Sequence, residues 1–185
     1  MNSIAVLTPT LPSRQWLLNE AVASVEAQTV PVGHLIGDDI DREGPSRVRN
    51  RLADSTDAEW LLPLDDDDLL DAAFIQTLLP HLESADIVYP WCRVTDHAPN
   101  LEPWSPNRLY RPEPLLNYNY IPVTAMIRHE TWDAVGGMPI VPHGEDWRFW
   151  RLMVAAGARV KCVPEVLWTY RRGIAGSRNL WTEAA

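Results

Sequence analysis

Three times near its start the chain repeats one pattern: a short apolar run, a polar cluster, then a stretch of helical period. "SIAVLT" stops at Pro9, and Ser13 is placed to cap a helix through "RQWLLNEAVASVEAQ". "HLIG" ends at Asp38 and Asp39, and Pro45 then suits the first position of "PSRVRNRLADS", which puts Val48 and Leu52 on one face. "EWLLPL" runs into Asp65 to Asp68, with Asp71 placed to cap "AAFIQTLLPHLE", and "DIVYP" follows as a fourth strand. Strands and helices of these lengths in alternation predict an α/β chain with a mostly parallel central sheet flanked by helices. Ligands of such sheets gather beyond the carboxyl ends of the strands. Thr8 to Thr10, Asp38-Asp39 and Asp65 to Asp68 are therefore predicted to meet at one cleft.

The second half breaks this rhythm. From Trp91 to Pro122 there are six prolines and no clear period, which predicts a long irregular segment of the kind that carries function. "VTAMIRHETWDAVGG" reads as a strand and a short helix stopped by Gly136-Gly137. "GEDWRFWRLMVAAG" reads as a helix with Glu145 and Asp146 in its first turn and Gly157 past its end. "RVKCVP" and "VLWTYRR" read as two closing strands. Trp147 and Trp150 have apolar residues nearly all round them and belong to the core, whereas Trp91 and Trp104 are candidates for the wall of an acceptor cleft.

No repeat or linker divides the 185 residues, and a hydrophobic content of 46% is enough to bury a core, so a single domain is expected. The formal charge of −9 argues against non-specific nucleic-acid binding. Of the 16 basic residues only Lys161 is a lysine; arginine suits bidentate contact with phosphate or carboxylate, although a GC-rich genome produces the same bias. Cys92 and Cys162 fit neither a disulfide framework nor a zinc site, so a reducing, cytoplasmic location is expected. No apolar stretch approaches the roughly 20 residues that span a bilayer.

Four adjacent aspartates are the least favourable feature of the sequence. An extended chain would put Asp65 and Asp67 on one side and Asp66 and Asp68 on the other. Two carboxylates about 4 Å apart repel by roughly 4 kcal/mol at an effective dielectric of 20. A divalent cation offsets this, and all-oxygen ligands point to Mg²⁺ or Mn²⁺ rather than zinc. The same acids would also serve a solvated turn before a helix. An EF-hand is excluded because the loop lacks the required Gly and Glu. A phosphatase with an aspartyl nucleophile also wants an acidic pair after a strand, but needs a phosphate-binding Lys, and Lys161 lies in an apolar strand pattern.

Taken from end to end, the chain resembles a family 2 glycosyltransferase of the GT-A fold, the nucleotide-diphospho-sugar transferase variant of the Rossmann-like architecture, at close to its minimal length. The resemblance rests on "AVLTPTLPSR", "SVEAQTVPVGHLIGDD", "RVRN", "LLPLDDDDLLD", "IPVTAMIRHETWDAVGGMP" and "GEDWRFWRLMVAAGARVKCVPEVLWTYRR", in that order. It implies transfer of a sugar from a nucleotide-diphosphate donor, a UDP-sugar, with inversion. Residues 1–90 would form the nucleotide-sugar half and 91–185 the acceptor half. By position, Thr8, Thr10 and Asp39 would line the base and ribose pocket, and Asp65 would contact the ribose or diphosphate. Asp67 and Asp68 would hold the metal. Pro9, Arg14, Asp38, Arg49 and Asp66 would complete the donor side.

Asp146 matches the family's catalytic base, with Glu145 as its orienter or an acceptor contact. The family's His after the closing Tyr-Arg is missing from "TYRRGIAGS", so Arg171 or Arg172 would pair with the diphosphate instead, and His143 is a candidate compensating ligand or acceptor contact. The passage from Asp39 to Arg47 is also unusually short for the family, which implies an open base pocket. A glycan, a protein side chain, a lipid-linked sugar or a modified nucleobase could each offer the acceptor hydroxyl. Two other functions compete on the residues alone: metal-dependent phosphoryl transfer, and non-catalytic binding of a sugar nucleotide.

Overall fold

The computed structural model describes residues 3–97 and 105–174. In chain order these form β1 (Ile4–Thr10), α1 (Gln15–Glu26), β2 (Gly33–Asp38), α2 (Pro45–Ala53), β3 (Trp60–Pro63), β4 (Leu69–Leu70), α3 (Phe74–Leu78), β5 (Ile87–Asp96), α4 (Pro112–Leu115), β6 (Met126–Arg128), α5 (His129–Ala134), α6 (Glu145–Ala155) and β7 (Val160–Arg172). The strands build one sheet in the order β2-β1-β3-β6-β5-β7-β4. Its core is parallel, as predicted: β1 runs parallel to both β2 and β3, and β5 to β7. The short β6 and the two-residue β4 are antiparallel to their neighbours, which makes the whole sheet mixed.

Neighbouring residues of the central strands face opposite sides of the sheet. Leu7, Leu61, Ile87 and Ile127 join one apolar cluster with Val48 and Leu52 of α2, Trp132 of α5, and Phe149, Trp150 and Met153 of α6. Val6, Leu62, Val88 and Met126 join the other with Ala21 and Val25 of α1 and Phe74, Ile75 and Leu78 of α3. Helices thus cover both faces, and all the predicted strands form.

Four local expectations are corrected. Neither Ser13 nor Asp71 caps a helix with its side chain; a 3₁₀ turn, Pro12–Arg14, leads into α1, and the backbone carbonyl of Asp71 accepts from Phe74 N at 2.9 Å. The segment after Trp91 is not irregular throughout, because β5 continues to Asp96. The two closing strands are one strand of 13 residues. Finally, the aspartates do not stay extended: Asp68 N donates to the Asp65 carbonyl at 3.1 Å, which turns the chain between β3 and β4.

Candidate functional site

The turn at Asp65–Asp68 leaves the centre of the sheet and returns at β4, which pairs with Thr169 and Trp168 of β7. The turn breaks the expected alternation, so Asp65, Asp67 and Asp68 converge, with ligand oxygens all within 4.8 Å of one another. Asp66 points elsewhere. It accepts from Arg14 Nε at 2.9 Å and Nη2 at 2.7 Å, and from the Thr10 hydroxyl at 2.6 Å. Arg14 Nη2 also lies 2.7 Å from Asp67 Oδ2.

Three buried guanidinium groups from three different elements hold this loop. Arg14 comes from the turn after β1, Arg49 of α2 pairs with Asp65, and Arg171 of β7 donates from Nε to the Asp67 carbonyl and from its backbone N–H to Asp68 Oδ1 at 3.0 Å. Glu20 of α1 in turn pairs with Arg171. Counting Glu20, five carboxylates therefore face three guanidinium groups, and only part of the mutual repulsion is offset within the protein itself.

The balance remains uneven. Burial, then Asp67 and Asp65, push the Asp68 carboxyl well above the usual carboxylate range, against the Arg171 N–H and charge. Asp67 is also raised, by burial and then Asp65, against the pull of Arg14. Asp68 Oδ2 is buried without a hydrogen-bond partner among the described residues. An orphaned carboxylate oxygen beside two more carboxylates fits a hard divalent cation, which takes oxygen ligands only.

Asp146 lies in the first turn of α6, where Gly144 adopts the left-handed φ of 67° that lets the chain swing sharply into the helix. Its Oδ1 accepts from Trp147 N at 2.8 Å and its Oδ2 from the side-chain amide of Asn119 at 2.7 Å. Burial pushes the carboxyl up to about 6 and Glu145 adds to this, while the Trp147 N–H, Arg49 and Asn119 pull it down. Arg49 thus acts both on Asp65, which it pairs with, and on Asp146. Tyr170 of β7 is a second shared neighbour: burial raises its hydroxyl most, and Asp68, Asp65, Asp67 and Asp146 all add to the shift. Arg49 and Tyr170 therefore lie within electrostatic reach of both the acid loop and the α6 carboxylate.

The remaining predicted residues scatter. Thr8 is fully buried with its hydroxyl 2.9 Å from His34 Nε2, Pro9 is buried in β1, and Asp38 is exposed. Asp39 accepts from Glu43 N at 2.6 Å and Gly44 N at 3.0 Å, so it staples the short passage into α2. Arg172 pairs with Asp96. Trp91 packs against the core cluster, and Trp104 lies outside the described residues. His143 is exposed in a cleft of about 530 Å³ with Glu43, Ile140, Val141 and Pro142. Lys161 is exposed near the start of β7, roughly 30 Å along the strand from Arg171 at 3.3 Å per residue. The acid loop therefore has no lysine beside it.

Asn119, Tyr170, His34 and Glu20 were not singled out from the sequence. Their partners lie 26 to 151 residues away in the cases of His34, Asn119 and Glu20, and no local pattern marks such pairings.

No curated protein is significantly similar in sequence. Among solved structures the fold matches S. aureus TarS 1–349 in complex with UDP, with a TM-score of 0.74 and 16% identity over 91% of this chain and 60% of that one. The same protein in complex with UDP-GlcNAc matches with a TM-score of 0.74 and 15% identity, over 92% of this chain and 59% of that one. The chain thus spans about 60% of the length of the structures it matches. At this identity the likeness shows the fold, and it is the GT-A arrangement that the sequence resembles. No helix of the described residues is long and apolar enough to cross a membrane. The model of the family described as "Glycosyl transferase family 2" matches residues 34–141, from β2 through the acid loop to the approach to α6; with more than half of its length matched, the chain belongs to glycosyl transferase family 2.

Proposed function

We propose that the chain transfers a sugar from a nucleotide-diphosphate donor, a UDP-sugar, to an acceptor hydroxyl with inversion, and that Asp146 takes the proton. The observation that carries this reading is the pairing of two unlike acidic sites around Arg49 and Tyr170: a crowded loop with an orphaned oxygen, and a lone carboxylate on a helix. TarS, solved in complex with UDP and with UDP-GlcNAc, supports the donor class. Asp65, Asp67 and Asp68 would hold Mn²⁺ or Mg²⁺, which when bound would supply positive charge to the donor diphosphate. Arg49 and Arg171, each with a buried guanidinium nitrogen lacking a partner among the described residues, would add to the same field.

A hydroxyl is a weak nucleophile until its proton is removed, and a placed carboxylate contributes about 10²- to 10⁴-fold. With its carboxyl at about 6, Asp146 is ionised at neutral pH and can accept that proton. Release of UDP from UDP-GlcNAc in Mn²⁺ tests the assignment. The rate is expected to climb as pH rises through 6, and Asp146→Asn to lose about 10²-fold or more while UDP still binds. Unchanged turnover in that variant would overturn it.

A further inference from the structure

We infer that Asn119 is a positioning residue for the Asp146 carboxylate, presented by a strap, residues 115–121, that helix α6 itself staples in place. The inference rests on the reading of Asp146 as the base. Trp147 Nε1 donates to the Leu115 carbonyl at 2.6 Å and Trp150 Nε1 to the Ile121 carbonyl at 2.9 Å. These two bonds bracket the Asn119 amide, which donates from Nδ2 to Asp146 Oδ2 at 2.7 Å. The strap is pinned a third time where the Tyr120 hydroxyl donates to the Arg111 carbonyl and accepts from Arg111 N at 2.9 Å.

The orientation of the amide is fixed from its other end. Asn119 Oδ1 accepts from Ile121 N at 3.3 Å, so the oxygen faces a donor and the NH₂ group is left to face the carboxylate. A donor so held favours the ionised form of Asp146 and fixes the plane of the carboxylate. The two indoles, core residues by their sequence pattern, thereby do more than fill the interior, because their N–H groups set the register between the strap and the helix that bears the base.

Charged and titratable neighbours of Asp146 come from three elements: Glu145 on α6, Arg49 on α2 and Tyr170 on β7. Glu145 disfavours the ionised form and Arg49 favours it, so the neutral donor of Asn119 works alongside a cation rather than alone.

The test is the pH dependence of UDP release from UDP-GlcNAc in Mn²⁺. In Asn119→Ala the acid limb is expected to move up by about one pH unit, giving roughly fivefold loss at pH 6 and little at pH 9. A limb that does not move, or an equal loss at both pH values, overturns the inference. Asn119→Asp keeps the side-chain shape but sets a second carboxylate against the first, and is expected to move the limb further up; it guards against misfolding of the alanine variant.

Thermal stability gives a readout free of activity. Because the Asp146 carboxyl is raised from its ordinary 3.8 to about 6, its cost to stability builds as pH rises between those values and is constant above them. Asn119 favours the ionised form, so the share it offsets is felt only where the folded carboxyl is ionised, above about 6. Asn119→Ala should therefore lower Tm more at pH 8 than at pH 5, whereas equal drops would mark a merely structural bond and overturn the inference. Asp146→Asn measured alongside separates the two claims. If that variant keeps its turnover, the base assignment itself falls; if it is inactive while the Asn119→Ala profile is unmoved, only the present inference falls.

Discussion

Arg14 shows how a single side chain makes the acid loop tolerable. It is 9% exposed and reaches both Asp66 and Asp67 at 2.7 Å, and although burial opposes its charge, the two carboxylates outweigh that and raise its pKa. Removing one partner of such a pair leaves an uncompensated buried charge, which costs about 3–5 kcal/mol. Arg14→Ala is expected to lower the urea midpoint accordingly, and Arg14→Lys to fall between, since it keeps the charge but loses the two-pronged contact. An unchanged midpoint in the alanine variant would show that the loop does not depend on this ion pair. No local pattern in the sequence marks that pairing: Asp66 and Arg14 are 52 residues apart, and four like residues in a row look equivalent until the turn assigns Asp66 to the scaffold and the other three to the cleft.

Among the elements, the contact between β2 and α2 is very tight. A Cβ on Gly37 would sit 2.6 Å from Val48 Cγ1 and 3.3 Å from Leu52 Cδ2. Gly37→Ala is expected to cost about 1–3 kcal/mol by overpacking in thermal or urea unfolding. Adding Val48→Ala should recover part of that loss, and strictly additive effects would show that the two sites do not touch. Strand and helix identity was readable because apolar period and proline placement agree in the first half. The failures cluster at Pro90 and Pro164, which look like strand ends but lie in strands. The β5–β7 register slips just there, pairing Pro90 with Val163 and Trp91 with Val166, and such a bulge accommodates a residue that cannot donate to the ladder. Bulges arise from pairing between distant strands, so no window of sequence around either proline announces them.

At the scale of the whole molecule, the acid loop lies at the end of β3, where strand ends in α/β sheets are expected to meet, whereas Asp146 of α6 and Arg171 of β7 were placed near it only by the family resemblance. What was not legible is which polar groups the interior consumes. Thr8, Thr10 and Asp39 all fall at the predicted edge, yet each commits hydrogen bonds to His34, Asp66 or the Glu43–Gly44 backbone. Donor preference therefore has to be read from binding. At a hundredfold excess over Kd a ligand adds about 2.7 kcal/mol, a Tm rise of roughly 5–10 °C for a chain this size. With Mn²⁺ present UDP is expected to give the largest rise among nucleoside diphosphates, and equal rises for all would remove the uridine preference. The strap over α6 also bears on how such a molecule diversifies. Leu116, Asn117 and Tyr118 are exposed and lie between the staple at Leu115 and the Asn119 contact with Asp146. Three successive positions can thus be rewritten by evolution or by an engineer, presenting new chemistry to an incoming partner while the Asp146 carboxylate next door keeps its hydrogen bond to Asn119.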